Sequence, residues 1–100
     1  MMMYTKQPPP RPLKRLQRIT LYPTLVSQHQ FWLQLYNVDT CVFTVQLYTL
    51  NGLEVFNRFY VHEQMNSNYT IHVHEHISRG IYKAAVRCEE AQYVQYIVIE

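Results

Sequence analysis

Asn51 and Gly52 lie between two runs of alternating apolar and polar residues, and this feature restricts the fold more than any other in the chain. An Asn-Gly pair is the strongest short signal for a β-hairpin, because a two-residue type I′ turn requires positive φ at both central positions. Asn tolerates that conformation and Gly adopts it freely. An isolated hairpin is only marginally stable in water, so this one must pack against further strands.

Both arms of the hairpin show the two-residue period of a half-buried strand. In the first arm, Phe43, Val45 and Leu47 are predicted to face the core, with polar or aromatic residues between them. In the second arm, the residues of one parity are mostly apolar and are predicted to form the buried face. They are Leu53, Val55, Phe59 and Val61.

Further alternating runs of similar length follow one another along the chain, separated by turn signals. The sequence has nine Tyr and only two Gly, and aromatic and β-branched residues favour strands. The predicted strands are residues 19–22, 31–36, 41–50, 53–61, 69–74, 81–88 and 92–99. About seven short strands at this spacing are typical of an all-β, immunoglobulin-like antiparallel β-sandwich.

The first 18 residues are predicted to be a flexible, basic linker ahead of a single domain at residues 19–100. Runs of proline favour extended polyproline II structure and cannot join the interior of a sheet. The prolines of this segment are Pro8, Pro9, Pro10 and Pro12, and its basic residues are Lys6, Arg11, Lys14, Arg15 and Arg18.

Charge and hydropathy argue against several classes of partner. The formal net charge of +2 is too small to indicate a nucleic-acid partner. No apolar run is long enough for a transmembrane helix, so we expect no transmembrane segment. The basic residues near the start are not followed by an apolar segment, so this chain itself is expected to lack a signal peptide.

The two cysteines, Cys41 and Cys88, each lie on an apolar strand pattern. Free cysteine is among the most buried residue types, and two cysteines are also the minimum for a disulfide. The sequence is compatible with one disulfide or with two buried thiols.

No pattern typical of an enzyme is present, and we predict a non-enzymatic protein without a cofactor. The two glycines are turn residues, so there is no glycine-rich phosphate loop. His72, His74 and His76 share one parity of a predicted strand, where such neighbours are about 6.6–7 Å apart. Two imidazoles at that spacing can share a zinc ion, which makes the row a candidate metal site. The interpretation we favour is a solvent-facing polar row.

Four motifs occur in a recognisable order. They are Leu21-Tyr22-Pro23, the hairpin sequence VQLYTLNGLEV at residues 45–55, Gly80-Ile81-Tyr82, and a short apolar strand that ends in Tyr96–Glu100. This order resembles the C-terminal sorting domain of type IX secretion cargo, in its type A class. That family is similar in its "valine-x-leucine-tyrosine-x-leucine-asparagine-glycine" hairpin and its "glycine-isoleucine/leucine-tyrosine" strand start. The resemblance covers residues 19–100.

The resemblance implies a targeting domain at the end of a larger protein, which directs export of the attached cargo across the outer membrane. It implies recognition by the type IX translocon and removal by a sortase-like peptidase. The location it implies is the periplasm in transit, and then the cell surface or the medium. The residues it implies for recognition are Gly80, Ile81, Tyr82, Tyr96, Ile97, Val98, Ile99 and Glu100.

A second hypothesis is a generic immunoglobulin-like or fibronectin-like adhesion or ligand-binding module. Exposed aromatic residues mark binding surfaces on such folds. The predicted binding face consists of Trp32, Tyr36 and Tyr60.

Overall fold

The computed structural model describes residues 17–88 and 91–100 of the chain. The described residues form eight strands and no helix. The strands are β1 (Arg18–Tyr22), β2 (Leu25–Val26), β3 (Gln30–Tyr36), β4 (Cys41–Thr49), β5 (Glu54–His62), β6 (Ser67–His72), β7 (Gly80–Cys88) and β8 (Ala91–Ile99). Most of the proposed linker lies outside the described residues, and Arg18 already belongs to β1.

The strands form two sheets that pack face to face. One sheet has the order β1-β3-β6 and the other has the order β2-β8-β7-β4-β5. All neighbouring strands are antiparallel except β2 and β8, which are parallel. The chain is therefore all-β, with the immunoglobulin-like sandwich that the alternating pattern predicts.

The core lies between the sheets and follows the two-residue period. Phe43 of β4 is fully buried and is the centre of an aromatic group that joins the sheets. Its ring centroid lies 5.3 Å from that of Tyr60 on β5 and 5.1 Å from that of Tyr69 on β6. Because β5 and β6 belong to different sheets, this group holds the two layers together. Truncating a buried phenylalanine to alanine costs about 3–5 kcal/mol.

The β4–β5 turn differs from the predicted type I′ turn. The N–H of Gly52 donates to the carbonyl of Thr49 at 2.9 Å, and the N–H of Thr49 donates to the carbonyl of Leu53 at 2.9 Å. Gly52 has a φ of +93°, whereas Asn51 is not among the described residues with positive φ. The loop therefore has three residues, with Gly52 in the left-handed position that follows the turn.

The faces of β5 are the reverse of those predicted, because the pairing with β4 sets them. The register shifts by one residue between Leu47 and Tyr48, which offsets the extra loop residue, so Leu47 lies opposite Phe56 and Phe43 lies opposite Tyr60. Residues directly opposite each other point to the same face of a sheet. The inward side chains of β5 are Phe56, Tyr60 and His62. The prediction for the second arm was wrong, since Leu53, Phe59 and Val61 are exposed and Val55 is only partly buried.

Cys41 and Cys88 form a disulfide, which settles the two alternatives that the sequence leaves open. The bond joins the start of β4 to the end of β7, so it lies within the five-stranded sheet. Both cysteines are buried. The sequence separation is 47 residues, and closing a loop of that length in the unfolded chain stabilises the fold by about 4 kcal/mol in the chain-entropy account.

Candidate recognition surface at the terminal strands

The register of β7 and β8 brings together the two groups of residues that the sequence singles out. Gly80 lies opposite Ile99, Ile81 opposite Val98, and Tyr82 opposite Ile97. The start of one strand and the end of the other therefore form a single corner of the five-stranded sheet. The sequence indicates each group separately, and the pairing of the strands makes them neighbours.

The predicted recognition residues divide between the core and the surface. Tyr82, Ile97 and Ile99 are buried, with 6%, 0% and 1% of their surface exposed. Ile81, Tyr96 and Val98 are exposed by 50%, 57% and 39%. The second group and Glu100, which is also exposed, are available to a partner, since the first group faces the opposite sheet.

Tyr82 and Gly80 determine the backbone conformation at the start of β7. The Tyr82 hydroxyl donates a hydrogen bond to the carbonyl oxygen of Ser78 at 2.7 Å, which closes the turn before the strand. Gly80 has a φ of +157°, a conformation that residues with side chains rarely adopt. A methyl group at this position would contact only Cε1 of Tyr82, at an ordinary distance of 3.7 Å. Glycine is therefore favoured by the backbone conformation and not by a lack of space.

Strand β2 holds the end of the chain from the other side, and the sequence reasoning missed it. The N–H of Val98 donates to the carbonyl of Thr24 at 2.8 Å, and the N–H of Glu100 donates to the carbonyl of Val26 at 2.9 Å. A two-residue strand is too short to show a period, which is why the segment 23–30 was predicted to be a connection only. Val26 is fully buried, while Leu25 is 55% exposed.

Leu25, Val98 and Ile81 form one row across three strands. Leu25 pairs with Val98, and Val98 pairs with Ile81. Residues that are directly opposite point to the same face of a sheet, and all three are exposed, so the row lies on the outside. With Tyr96, two residues from Val98 on β8, these side chains form an exposed apolar patch, called here the terminal surface.

The terminal surface adjoins an open strand edge. Strand β2 covers β8 only at Val98 and Ile99, so among the described residues the part of β8 before Val98 has no strand on that side. Open edges present unpaired peptide groups to which an extended chain can add. The carbonyl of Tyr96 accepts a hydrogen bond from the Gln95 side chain at 3.1 Å, which partly covers this edge.

The three histidines do not form the row that the sequence predicts. His72 ends β6, while His74 and His76 lie in the loop that follows, and all three are exposed. The rings of His74 and His76 lie nearly parallel, with centroids 5.1 Å apart, and His74 also contacts the edge of Phe56. Within residues 17–88 and 91–100, no group of three or more His, Cys, Asp or Glu side chains is placed to hold a metal ion.

His62 is a buried polar residue that sequence reasoning did not locate. Its Nε2 lies 2.9 Å from the carbonyl oxygen of Val38, and its Nδ1 lies 2.7 Å from the hydroxyl of Tyr69. Because a carbonyl can only accept, Nε2 donates to Val38, and Nδ1 forms its hydrogen bond with the Tyr69 hydroxyl. The signal for this residue is its parity with Phe56 and Tyr60, which becomes visible once β5 is aligned with β4.

The predicted binding face of Trp32, Tyr36 and Tyr60 is divided between the two sheets. Trp32 and Tyr36 lie on the outer face of β3, whereas Tyr60 faces the core and contacts Phe43. Tyr60 therefore does not contribute to a common face with the other two. Tyr22 of β1 lies opposite Trp32 of β3 and belongs to that outer face instead.

A comparison of the chain with protein-family models finds no match, and no curated protein sequence matches it significantly. The described residues contain no helix long and apolar enough to cross a membrane. The features that bear on function are therefore the order of the sequence motifs and the geometry of the terminal surface.

Proposed function

We propose that this chain carries a non-enzymatic C-terminal sorting domain of the type IX secretion class. In this proposal the domain presents the terminal surface to the outer-membrane translocon and so directs export of an attached cargo. The observation that supports it most is the pairing of Ile81 with Val98. Two separate motifs of the resemblance thereby contribute exposed side chains to the same small patch.

The construction of this corner suits a signal that depends on folding. Strand β8 is held between β7 and β2, so the terminal surface exists only when both pairings have formed. Exposed apolar patches on folded domains mark sites of protein interaction. A translocon that reads this patch would accept folded domains and reject unfolded ones.

The disulfide supports passage through an oxidising compartment. Disulfides form and persist in the bacterial periplasm and in secreted proteins, and are rare in the cytosol. The Cys41–Cys88 bond is buried within the domain. In the proposal, the domain folds and oxidises in the periplasm before the translocon binds it. A sortase-like peptidase then cleaves the chain ahead of β1.

A secretion experiment tests the proposal. Residues 1–100 are fused behind a reporter that carries an export signal, in a bacterium with an active type IX system. The readout is the fraction of reporter at the cell surface or in the medium, compared with the fraction left in the periplasm. We expect delivery of the wild-type fusion.

A matched pair of variants makes the test specific. Ile81→Ser with Val98→Ser removes the centre of the terminal surface, and we expect periplasmic retention. Val42→Ser with Val61→Ser is the control, because Val42 and Val61 also pair across two strands of the same sheet and are 58% and 55% exposed. Delivery of both double variants at the wild-type level would disprove the role of the terminal surface. Retention of the wild-type fusion would disprove the sorting function.

A further inference from the structure

The outer face of the three-stranded sheet combines aromatic rings with uncharged polar side chains. Tyr22 and Trp32 are opposite each other on β1 and β3, with ring centroids 6.1 Å apart and planes inclined by 24°. Tyr36, on the same face, is 45% exposed. The guanidinium of Arg18 lies 5.5 Å from the centroid of the Tyr36 ring and holds it from one side.

Amide and hydroxyl side chains continue this face onto β6. Gln34 of β3 lies opposite Thr20 on β1 and opposite Asn68 on β6. Thr70 lies opposite Trp32. Gln34, Asn68 and Thr70 are exposed, and none of these three side chains has a hydrogen-bond partner among the described residues. We call this set of side chains, from Tyr22 to Tyr36 and across to Asn68 and Thr70, the aromatic face.

The charge of the aromatic face narrows the class of ligand. Its outward positions in the described strands include the cation Arg18 and no carboxylate. A nucleic-acid surface needs several cations along the phosphate backbone. Exposed aliphatic side chains such as Ile81 and Val98 lie on the other sheet, so this face offers aromatic rings and polar groups rather than an aliphatic patch.

From this combination we infer that the aromatic face binds a neutral oligosaccharide. A sugar ring has a face of C–H groups, which packs against an aromatic ring, and an edge of hydroxyls. Side-chain amides suit those hydroxyls because each amide both donates and accepts hydrogen bonds. Trp32 and Tyr36 are four residues apart on one strand, or about 13 Å, which is the span of a short linear oligosaccharide. The inference is independent of the proposed sorting function, since it concerns the opposite sheet.

Trp32 provides a direct reporter, because it is the only tryptophan in the chain. The full chain is titrated with maltohexaose, cellohexaose, mannohexaose and N-acetylchitohexaose, each up to about 10 mM, while tryptophan emission is recorded. We expect a saturable change in emission with at least one of them. Glycerol at a matched concentration controls for effects of solvent on the fluorophore.

Variants then connect the signal to the face. Tyr36→Ala should weaken binding roughly fivefold, and Gln34→Ala should weaken it about threefold to tenfold. Phe59→Ala removes an exposed aromatic ring from the other sheet and should leave the affinity unchanged. Urea denaturation of each variant verifies that it is folded at the temperature of the titration.

Two outcomes would overturn the inference. One is the absence of a saturable change with all of the oligosaccharides, which would leave the aromatic face to a protein partner. The other is binding that Tyr36→Ala and Gln34→Ala leave at the wild-type affinity, since the sugar would then bind elsewhere.

Discussion

A hydrogen bond of 2.7 Å links Nδ1 of His62 to the Tyr69 hydroxyl, and this bond joins the two sheets of the sandwich. His62 is fully buried, and its other ring nitrogen donates to the carbonyl of Val38. Both ring nitrogens therefore have a hydrogen-bond partner. A buried polar group whose partners are complete helps to define one arrangement of the core.

Substituting the two partners of this bond one at a time should destabilise the domain by different amounts. Tyr69→Phe leaves Nδ1 of His62 without its hydrogen-bond partner, and we expect a loss of about 1–3 kcal/mol in the free energy of unfolding. His62→Ala also opens a cavity and leaves the Val38 carbonyl unpaired, so its loss should be larger. Urea denaturation at pH 7.5 measures both, and equal losses would contradict the account of a satisfied buried imidazole.

The turn geometry predicts unequal effects at Asn51 and Gly52. Gly52 has a φ of +93° and open space around the position of a Cβ atom, so Gly52→Ala should cost about 1 kcal/mol through the backbone alone. Asn51→Ala should cost less than about 0.5 kcal/mol, because a type I′ turn is absent. Thermal denaturation of the two variants gives the comparison. A larger cost at Asn51 than at Gly52 would contradict the three-residue loop and indicate a two-residue type I′ turn.

Reduction of the disulfide should weaken the fold substantially. We expect Cys41→Ser with Cys88→Ser to lower the free energy of unfolding by about 2–5 kcal/mol. Wild-type protein in dithiothreitol should lose a similar amount, while the double variant should not respond to the reductant. A response of the double variant to dithiothreitol would show that the reductant acts elsewhere.

Tyr60 makes stability depend on pH in the alkaline range. Burial raises the pKa of Tyr60 above its usual value of 10.0, and the positive charge of Arg58 partly offsets the rise. The unfolded chain then loses this proton at a lower pH than the folded chain, so stability falls as the pH rises above about 10. Tyr60→Phe should remove this contribution, and the stability difference between variant and wild type should shift in favour of the variant from pH 9 to pH 11.

The same substitution tests the buried hydroxyl. Within the described residues, the Tyr60 hydroxyl is buried and has no hydrogen-bond partner of ordinary geometry. Tyr60→Phe should therefore be neutral or slightly stabilising at pH 7, since an unpaired buried hydroxyl costs free energy. Guanidinium denaturation measures this, and a loss above about 1 kcal/mol would indicate that the hydroxyl makes a bond to Arg58.

Strand positions were largely predictable, because alternation is a local property of the chain. Phe43, Val45 and Leu47 are fully buried as predicted, and Phe31 and Leu33 follow the same alternation in the predicted strand before them. The two-residue period places successive side chains on opposite faces wherever the backbone is extended. It needs no knowledge of which strand lies alongside.

The faces of β5 did not follow from alternation within β5, because both parities of that strand carry apolar residues. Phe56 lies opposite Leu47 and faces inward, while Phe59 is 70% exposed. The pairing with β4 selects the buried parity, since residues directly opposite each other share one face.

The sequence by itself determined the all-β class, most of the strands and the two motifs at the terminal corner. Only the tertiary structure decided that Cys41 bonds to Cys88, that β2 pairs with β8, and that His62 is buried. These contacts join residues far apart in the chain, and they form because burial of the shared core offsets the entropy lost in bringing distant segments together. The division of the terminal residues into buried and exposed sets has the same cause, since it depends on the sheet that packs beneath them.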